Sequence, residues 1–235
     1  MHVKAIKTHR IQCGESLERI IDEYVKNISE KTIIVITSKI ISICQKRVVA
    51  KDSITKEALI KQEADVVIKS NNTYGVYLTI KNNILIPSAG IDESNGDNVY
   101  ILYPENVQSS AEYIWNYLRK KHQLENLGIL ITDSHTTPMR LGVTGIALAW
   151  CGFAPLHSYI GTPDLYGHPL RMTQVNILDS LATSAVFLMG EGCEQTPLAI
   201  ITDAPKINFV QNVPTAEEKD SIIISMAEDL YAPII

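Results

Sequence analysis

Three short apolar runs constrain the fold of this 235-residue chain most strongly. They span residues 32–37 (TIIVIT), 127–132 (LGILIT) and 198–201 (LAII), and none contains a charged residue. Short apolar runs rich in β-branched residues are typical of buried strands. The sequence therefore predicts three buried strands, the first ending at Ser38-Lys39 and the second at Asp133-Ser134-His135. These polar ends are candidate edges of a functional site.

The rest of the chain alternates between helical and strand patterns. Apolar residues at helical spacing predict helices over residues 15–25, 56–69, 109–122, 174–189 and 217–231. Further strands are predicted over residues 74–80, 84–87 and 99–102, with a tight turn at Asn82-Asn83 because asparagine tolerates positive φ. Residues 142–149 (GVTGIALA) are small and apolar, which suits a core or a dimer interface. The elements follow no strict βαβ alternation, and no linker divides residues 1–235, so we expect a single domain.

The composition excludes several classes of partner. Hydrophobic residues make up 46% of the chain, charged residues 20%, and the net charge is −5. This balance indicates neither a nucleic-acid-binding nor an anionic-membrane-binding surface. No apolar run approaches the roughly 20 residues of a membrane-spanning helix, so we expect a soluble, cytoplasmic protein. The four cysteines have no zinc-site spacing and are interpreted as reduced thiols.

Three clusters of oxygen donors follow or precede apolar elements. They are Asp92-Glu93-Ser94-Asn95 within PSAGIDESNG (residues 87–96), Asp133-Ser134, and Glu191 within MGEG (residues 189–192). Hard cations such as Mg²⁺ and Mn²⁺ take oxygen ligands, and in nucleotide enzymes phosphate and water complete the shell. Taken singly, each cluster is better explained as a polar turn. Together they allow a metal site built from several loops.

Other polar residues leave two interpretations open. Ser38-Lys39 could contact a phosphate or be solvated after a strand. The chain has neither a Walker-type loop nor a Rossmann glycine fingerprint, so a nucleotide would have to be bound in another way. Cys193 has no base placed for it and is not taken as a nucleophile. Four further residues could meet an anionic substrate or form structural hydrogen bonds: Arg140, His157, His168 and Arg171.

Several motifs, in this order and spacing, resemble those of the coenzyme F420-0:γ-glutamyl ligase family. They are AGIDESN (residues 89–95), TDS (132–134), PMRLGVTGIA (138–147), YIGTPDLYG (159–167) and LMGEG (188–192). The resemblance extends from about residue 14 to residue 201. It implies an α+β fold with mixed sheets and packed helices, and an intertwined homodimer.

The resemblance also implies GTP-dependent ligation of L-glutamate with two Mg²⁺ or Mn²⁺ ions and, in some members, K⁺. By position, Asp92 and Asp133 correspond to ligands of one metal ion, and Ser134 and Glu191 to ligands of a second. Residues 8–11 fall where another nucleotide-contacting segment lies in the family. The positions that correspond to nucleotide contacts are Ser38, Lys39, Asn95, Met189, Gly190, Glu191, Gly192 and Thr196.

The implied chemistry needs no protein nucleophile. The acceptor carboxylate attacks the γ-phosphate to give an acyl phosphate, and the amine of glutamate then displaces phosphate. Cations bridging the phosphates relieve the repulsion between a carboxylate and a polyanion. Catalysis would therefore be metal-assisted, through Asp92 and Asp133.

Four departures from the family pattern bear on the acceptor. Ile43 stands where the family usually carries lysine, and basic residues are absent at Thr137, Thr162 and His168. F420-0 carries a phosphodiester, for which arginines are apt partners, so these losses favour a folate- or pteroate-type acceptor, with F420-0 as the alternative. The choice between GTP and ATP stays open. Because Ile43 stands in place of that lysine, the chain could also be a nucleotide- or metal-binding protein without ligase activity.

Overall fold

The computed structural model describes residues 1–68 and 75–234. We number helices and strands in chain order. The helices are α1 (Leu17–Tyr24), α2 (Ser38–Cys44), α3 (Lys56–Glu63), α4 (Val107–His122), α5 (Ile177–Met189) and α6 (Ala216–Asp220). The strands are β1 (His2–Ile6), β2 (Thr32–Thr37), β3 (Val48–Ala50), β4 (Val66–Ile68), β5 (Leu78–Lys81), β6 (Ile84–Pro87), β7 (Val99–Ile101), β8 (Leu127–Thr136), β9 (Val143–Cys151), β10 (Leu156–Ser158), β11 (Gln174–Asn176) and β12 (Leu198–Thr202).

A five-stranded sheet in the order β1-β12-β2-β8-β9 is the centre of the fold. Strands β2 and β8 are parallel, with Thr37 opposite Thr132, and the other pairs are antiparallel. The three predicted buried strands are confirmed as β12, β2 and β8, which are neighbours in this sheet. The mixture of parallel and antiparallel strands with separate helices confirms the α+β prediction.

Helices cover both faces of the central sheet. Alternate residues of β2 point to opposite faces, so Ile34 and Ile36 join the core beneath α1, α2 and α4, whereas Ile33 and Val35 join the core beneath α5. This double burial explains why β2 is apolar at every inner position. Trp115 of α4 is 2% exposed and donates from its indole nitrogen to the Leu127 carbonyl over 2.7 Å.

A smaller region carries the PSAGIDESNG motif. It contains the three-stranded sheet β4-β5-β6, the pair β3-β7 and helix α3. Asn82 and Asn83 have φ of 52° and 59° and connect β5 to β6, which confirms the predicted hairpin turn. A separate small core, which includes Leu59, Ile60 and Ile91, holds this region together.

Several predicted helix boundaries are wrong, and local chemistry explains each difference. The helix predicted over residues 174–189 begins at Ile177, because Gln174–Asn176 pair in a strand and the Asn176 side chain accepts from the Asp179 amide over 3.0 Å. The helix predicted over residues 217–231 is only Ala216–Asp220. It ends before Ile222-Ile223-Ile224, whose β-branching disfavours helix.

The remaining corrections are smaller. The helix predicted over residues 56–69 ends at Glu63 and is followed by β4, and Lys69 lies outside the described residues. The strand predicted over residues 74–80 begins at Leu78, and Tyr74 also lies outside the described part. Strand β1 and helix α2 were missed. Ser38-Lys39 therefore open a helix instead of lying in a solvated strand end.

Residues 143–149 of the predicted small-residue segment lie in strand β9, and Gly142 precedes it. Their packing has a steric reason. A Cβ on Gly145 would lie 2.4 Å from the backbone oxygen of Ala182 in α5. Glycine thus permits β9 and α5 to approach closely, which supports the predicted core packing.

Among the described residues, no helix combines the length and apolar character needed to cross a bilayer.

Candidate functional site

One edge of the central sheet brings distant segments together. Ile6 and Ile36 both lie opposite Leu198, and Thr37 lies opposite Thr132. The chain after β1, the start of α2, the outer part of β8 and the loop before β12 therefore meet at this edge. With the Asp92–Asn95 loop they line a cleft of about 540 Å³.

Asp133 and Ser134 lie within β8, not after its end as the sequence predicted. The strand continues to Thr136, with a register shift between Ile131 and Thr132. This irregularity lies next to the carboxylate that faces the cleft, and bulges commonly redirect side chains beside functional sites.

Lys39 and Asp92 form an ion pair in the cleft. The Lys39 ammonium lies 2.5 Å from Oδ2 of Asp92 and donates to Oγ of Ser94 over 3.0 Å. The Ser94 amide donates to Oδ1 of Asp92 over 2.7 Å. Burial opposes ionisation of Asp92, but the charge of Lys39 and these hydrogen bonds outweigh it and lower the Asp92 pKa. Asp92 is therefore an ionised carboxylate.

Asp133 has the opposite electrostatic character. Burial is the largest effect and, with the nearby charge of Asp92, raises the pKa of Asp133 to about 7. The Ser134 amide, which donates to Oδ1 of Asp133 over 2.8 Å, reduces the rise without cancelling it. The positive charge near the Asp133 carboxylate is therefore too small to offset the effect of burial on its pKa.

The third oxygen cluster faces the second across the cleft. Oγ of Ser134 donates to Oε2 of Glu191 over 3.3 Å. Although Glu191 is exposed to the cleft, desolvation by the surrounding protein raises its pKa. The side-chain amide of Asn95 donates to the Gly192 carbonyl over 3.0 Å. The Asp92–Asn95 loop and the loop after α5 are therefore in direct contact.

The loop after α5 is held by its own hydrogen bonds. The Gly192 amide donates to Oε2 of Glu194 over 2.8 Å, and the Thr196 hydroxyl donates to the Met189 carbonyl. The Thr8 amide donates to the Gln195 carbonyl over 2.9 Å, which fixes residues 8–11 against this loop. Two of the segments predicted to contact a nucleotide thus form one wall.

The donor chemistry of the cleft fits a hard cation. Asp92, Asp133, Ser134 and Glu191 supply carboxylate and hydroxyl oxygens to one cavity. Among residues 1–68 and 75–234, however, no three His, Cys, Asp or Glu side chains are close enough to hold a metal ion by themselves. Mg²⁺ is usually bound by one or two carboxylates, with phosphate oxygens and water as the other ligands. The site fits such a shared cation and not an all-protein cage.

Most of the predicted site residues line the cleft. They are Lys39, Asp92, Asn95, Asp133, Ser134, Met189, Gly190, Glu191, Gly192 and Thr196. Ser38 is 4% exposed and is not part of the described lining. Ile43 and Cys193 do line it, so the departure at Ile43 is within the site. The described lining does not contain Arg140, His157, His168 or Arg171.

Glu93 has a role that the sequence reasoning missed. It was interpreted as a plain turn residue, but its carboxylate oxygens lie 3.0 Å from the Lys51 ammonium and 2.5 Å from that of Lys56. These lysines precede Glu93 by 42 and 37 positions, so local spacing gave no signal of the contact. The two ion pairs anchor the loop that carries Asp92.

Comparison with known proteins agrees with the geometry of the cleft. The sequence model of the F420-0:Gamma-glutamyl ligase family matches residues 5–203. The coenzyme F420:L-glutamate ligase of Methanococcus maripaludis is 32% identical over 209 residues, covering 81% of this chain and 82% of that protein. The protein of the same name from Methanocaldococcus jannaschii is 31% identical over 231 residues, covering 91% and 88%. The Methanosarcina mazei protein of that name is 30% identical over 223 residues, covering 86% of each chain.

The family match spans most of the chain and includes every segment that lines the cleft. The family match and these relatives confirm the resemblance noted in the motifs of residues 89–192. The chain belongs to the F420-0:gamma-glutamyl ligase family and is an amide-forming ligase.

Proposed function

We propose that this protein joins L-glutamate to the carboxylate of an F420-0-type acceptor, using a nucleoside triphosphate and divalent cations bound in the cleft. The observation that carries the proposal is the convergence of Lys39, Asp92, Asp133, Ser134 and Glu191 on one cavity. The relatives named coenzyme F420:L-glutamate ligase support the acceptor. The nucleotide is GTP or ATP.

The proposed reaction has two steps. A carboxylate oxygen of the acceptor attacks the γ-phosphorus, which releases the nucleoside diphosphate and leaves an acyl phosphate. The amine of glutamate then attacks the acyl carbon, so that an amide forms while phosphate and a proton leave. The first step brings a carboxylate to a polyanion, and charge stabilisation at fixed positions is the main requirement for phosphoryl transfer.

The protein groups have distinct tasks in these steps. Lys39 supplies positive charge beside Asp92 in the cleft and would meet a phosphate of the nucleotide. Asp92, Asp133, Ser134 and Glu191 would hold Mg²⁺ or Mn²⁺ at two sites, with K⁺ as a further candidate. Such cations neutralise phosphate charge and align the reacting oxygens. The loop of residues 189–196, held against residues 8–11, would enclose the nucleotide together with Asn95.

The folate-type acceptor favoured from the sequence finds no support, and the F420-0 alternative fits better. The folate hypothesis depended on the missing basic residues at Thr137, Thr162 and His168, but the described lining of the cleft contains none of these positions. Their identity therefore carries little information about a group bound there. The names of the relatives point to coenzyme F420.

A homodimer is also part of the proposal. Large apolar side chains are exposed on the turn between β8 and β9, in residues 160–172 and on α5. They include Met139, Leu141, Leu165, Tyr166 and Phe187. Met139, Leu141 and Leu165 are fully exposed. Monomeric proteins rarely leave so many large apolar groups in water. Light scattering on purified protein should give a mass of about twice 26.1 kDa.

The acceptor assay tests the proposed activity. Purified protein is incubated with L-glutamate, Mn²⁺ or Mg²⁺, GTP or ATP, and either F420-0 or dihydropteroate, and products are followed by mass spectrometry. We expect a glutamate-sized mass gain on F420-0, dependent on nucleotide and metal. A gain on dihydropteroate alone would contradict the acceptor, and nucleotide binding without product would favour a binding protein instead of a ligase.

A further inference from the structure

Tyr103 is a buried side chain with an unusual hydroxyl group. The residue follows β7 and is 3% exposed. Within the described part of the chain its hydroxyl has no partner in ordinary hydrogen-bond geometry. A buried hydroxyl without a partner costs free energy, so its retention calls for a reason. Phenylalanine would fill the same space without that cost.

The ring of Tyr103 packs against the loop that carries Asp92. Asp92 and Ile101 exchange backbone hydrogen bonds of 2.9 and 2.8 Å in an antiparallel bridge, which places Gly90 opposite Tyr103. A Cβ on Gly90 would lie 2.3 Å from Cε1 and 2.4 Å from Cζ of the Tyr103 ring. The glycine of the GID sequence therefore makes room for this ring.

The hydroxyl end of Tyr103 lies beside the carboxyl group of Asp133. The two groups interact through charge, outside ordinary hydrogen-bond geometry. Burial, followed by the charge of Asp133, raises the Tyr103 pKa well above its usual range. At the opposite end, the Tyr103 carbonyl accepts from Nε of Arg47 over 3.2 Å. The Tyr103 side chain thus extends from the loop that carries Asp92 to strand β8, which carries Asp133.

We propose that Tyr103 is a positioning residue that sets the spacing between Asp92 and Asp133 for a shared divalent cation. Its ring braces the loop at Gly90, and its unpartnered hydroxyl beside Asp133 would donate to that carboxylate and orient it when a cation is bound. The inference rests on the proposed function, since it concerns the cation site of that function. Residues that orient metal ligands typically change metal affinity 10- to 100-fold when they are removed.

A purely structural role for Tyr103 makes a different prediction. If only the ring matters, Tyr103→Phe keeps the packing and leaves cation binding unchanged. Tyr100→Phe is a matched control, because Tyr100 is also buried, at 8% exposure, and lies only three residues away on β7. Its ring packs in the small core and faces the Lys51 ammonium at 5.4 Å.

The test measures Mn²⁺ binding directly, by electron paramagnetic resonance of free Mn²⁺. The protein is titrated with Mn²⁺ in the presence of the nucleotide that supports turnover in the acceptor assay. Glutamate and the acceptor are left out. We expect Tyr103→Phe to weaken Mn²⁺ binding about tenfold and Tyr100→Phe to change it less than twofold. The metal-free Tyr103→Phe protein should unfold at or slightly above the temperature of the unmodified protein, because the substitution removes a buried hydroxyl without a full hydrogen bond. Tyr100→Phe should unfold close to that temperature.

The outcomes separate this inference from the proposed function. Wild-type protein that shows neither turnover nor Mn²⁺ binding would overturn both. Wild-type protein that binds Mn²⁺, with Tyr103→Phe binding it equally well, would overturn the positioning role alone. Equal weakening by both substitutions would also overturn it, because the effect would then come from general loss of packing.

Discussion

Replacing Asp133 by asparagine should stabilise the metal-free protein while removing activity. The carboxyl group of Asp133 has its pKa raised from 3.8 to about 7, mainly by burial. At 1.36 kcal/mol per pKa unit, the ionised form costs up to about 4 kcal/mol of folding free energy. Because part of this side chain reaches the cleft, we expect about 2 kcal/mol. Asparagine keeps the shape and the acceptor for the Ser134 amide.

The stabilisation has a defined pH dependence. Below pH 3.8 the Asp133 carboxyl is protonated in the folded and unfolded states alike, so its ionisation costs nothing. Between 3.8 and about 7 the folded protein retains a proton that the unfolded chain releases, so stability falls as the pH rises. Above about 7 the full cost is present. The advantage of Asp133→Asn should therefore grow from under about 1 kcal/mol at pH 5 to about 2 kcal/mol at pH 8.

Urea unfolding in EDTA at pH 5 and pH 8 measures this difference. Asp97→Asn is the control, because Asp97 lines the same cleft but its side chain is 82% exposed and pairs with Arg10 at the surface. Its substitution should change stability by less than about 0.5 kcal/mol at both pH values. If Asp133→Asn were no more stable than the parent protein at pH 8, the electrostatic description of the cleft would be refuted.

Three further substitutions test other parts of the account. Lys39→Met should lower kcat/KM for the nucleotide at least tenfold, about 1.4 kcal/mol, because the proposed contact of the ammonium group with a phosphate is lost. Steady-state kinetics would show this, and unchanged values would exclude that contact. Gly145→Ala should destabilise the protein by about 1–3 kcal/mol in thermal unfolding, since the new methyl group would collide with the backbone of α5. Glu30→Gln should cost about 1 kcal/mol, because Glu30 accepts two backbone amides before β8 and these lower its pKa. That loss should be present above about pH 4.5 and disappear as the pH falls through the lowered pKa, and an equal loss at pH 3 would argue against it.

The central strands could be predicted because burial on both faces requires an uninterrupted run of apolar residues, which is visible in the sequence. Ile33 to Ile36 must be apolar at every position when helices cover both sides of the sheet. Helix boundaries left a weaker mark. Asn176 caps α5 and also pairs in β11, and no periodicity distinguishes those two roles. Strand β1 was missed because it is a short edge strand whose residues are exposed or only partly buried, so no apolar run marks it in the sequence.

The candidate site was predictable where donors cluster along the chain and unpredictable where they meet only in space. Asp92, Asp133 and Glu191 are separated by about 40 to 60 positions, and the family motifs were needed to group them. The contact of Glu93 with Lys51 and Lys56 depends on the packing of α3 and β3 against the loop. Tyr103 looks like an ordinary apolar residue after a strand, and only the register opposite Gly90 reveals its position.

An anomalous difference map from crystals soaked with Mn²⁺ and the nucleotide would show whether the cleft binds both. We expect manganese peaks within coordination distance of Asp92 and Asp133, and of Ser134 and Glu191, with phosphate oxygens completing each shell. We also expect the Lys39 ammonium to move away from Asp92 towards a phosphate. Manganese bound elsewhere, or a nucleotide outside the cleft, would contradict the assignment of this cleft as the ligase site.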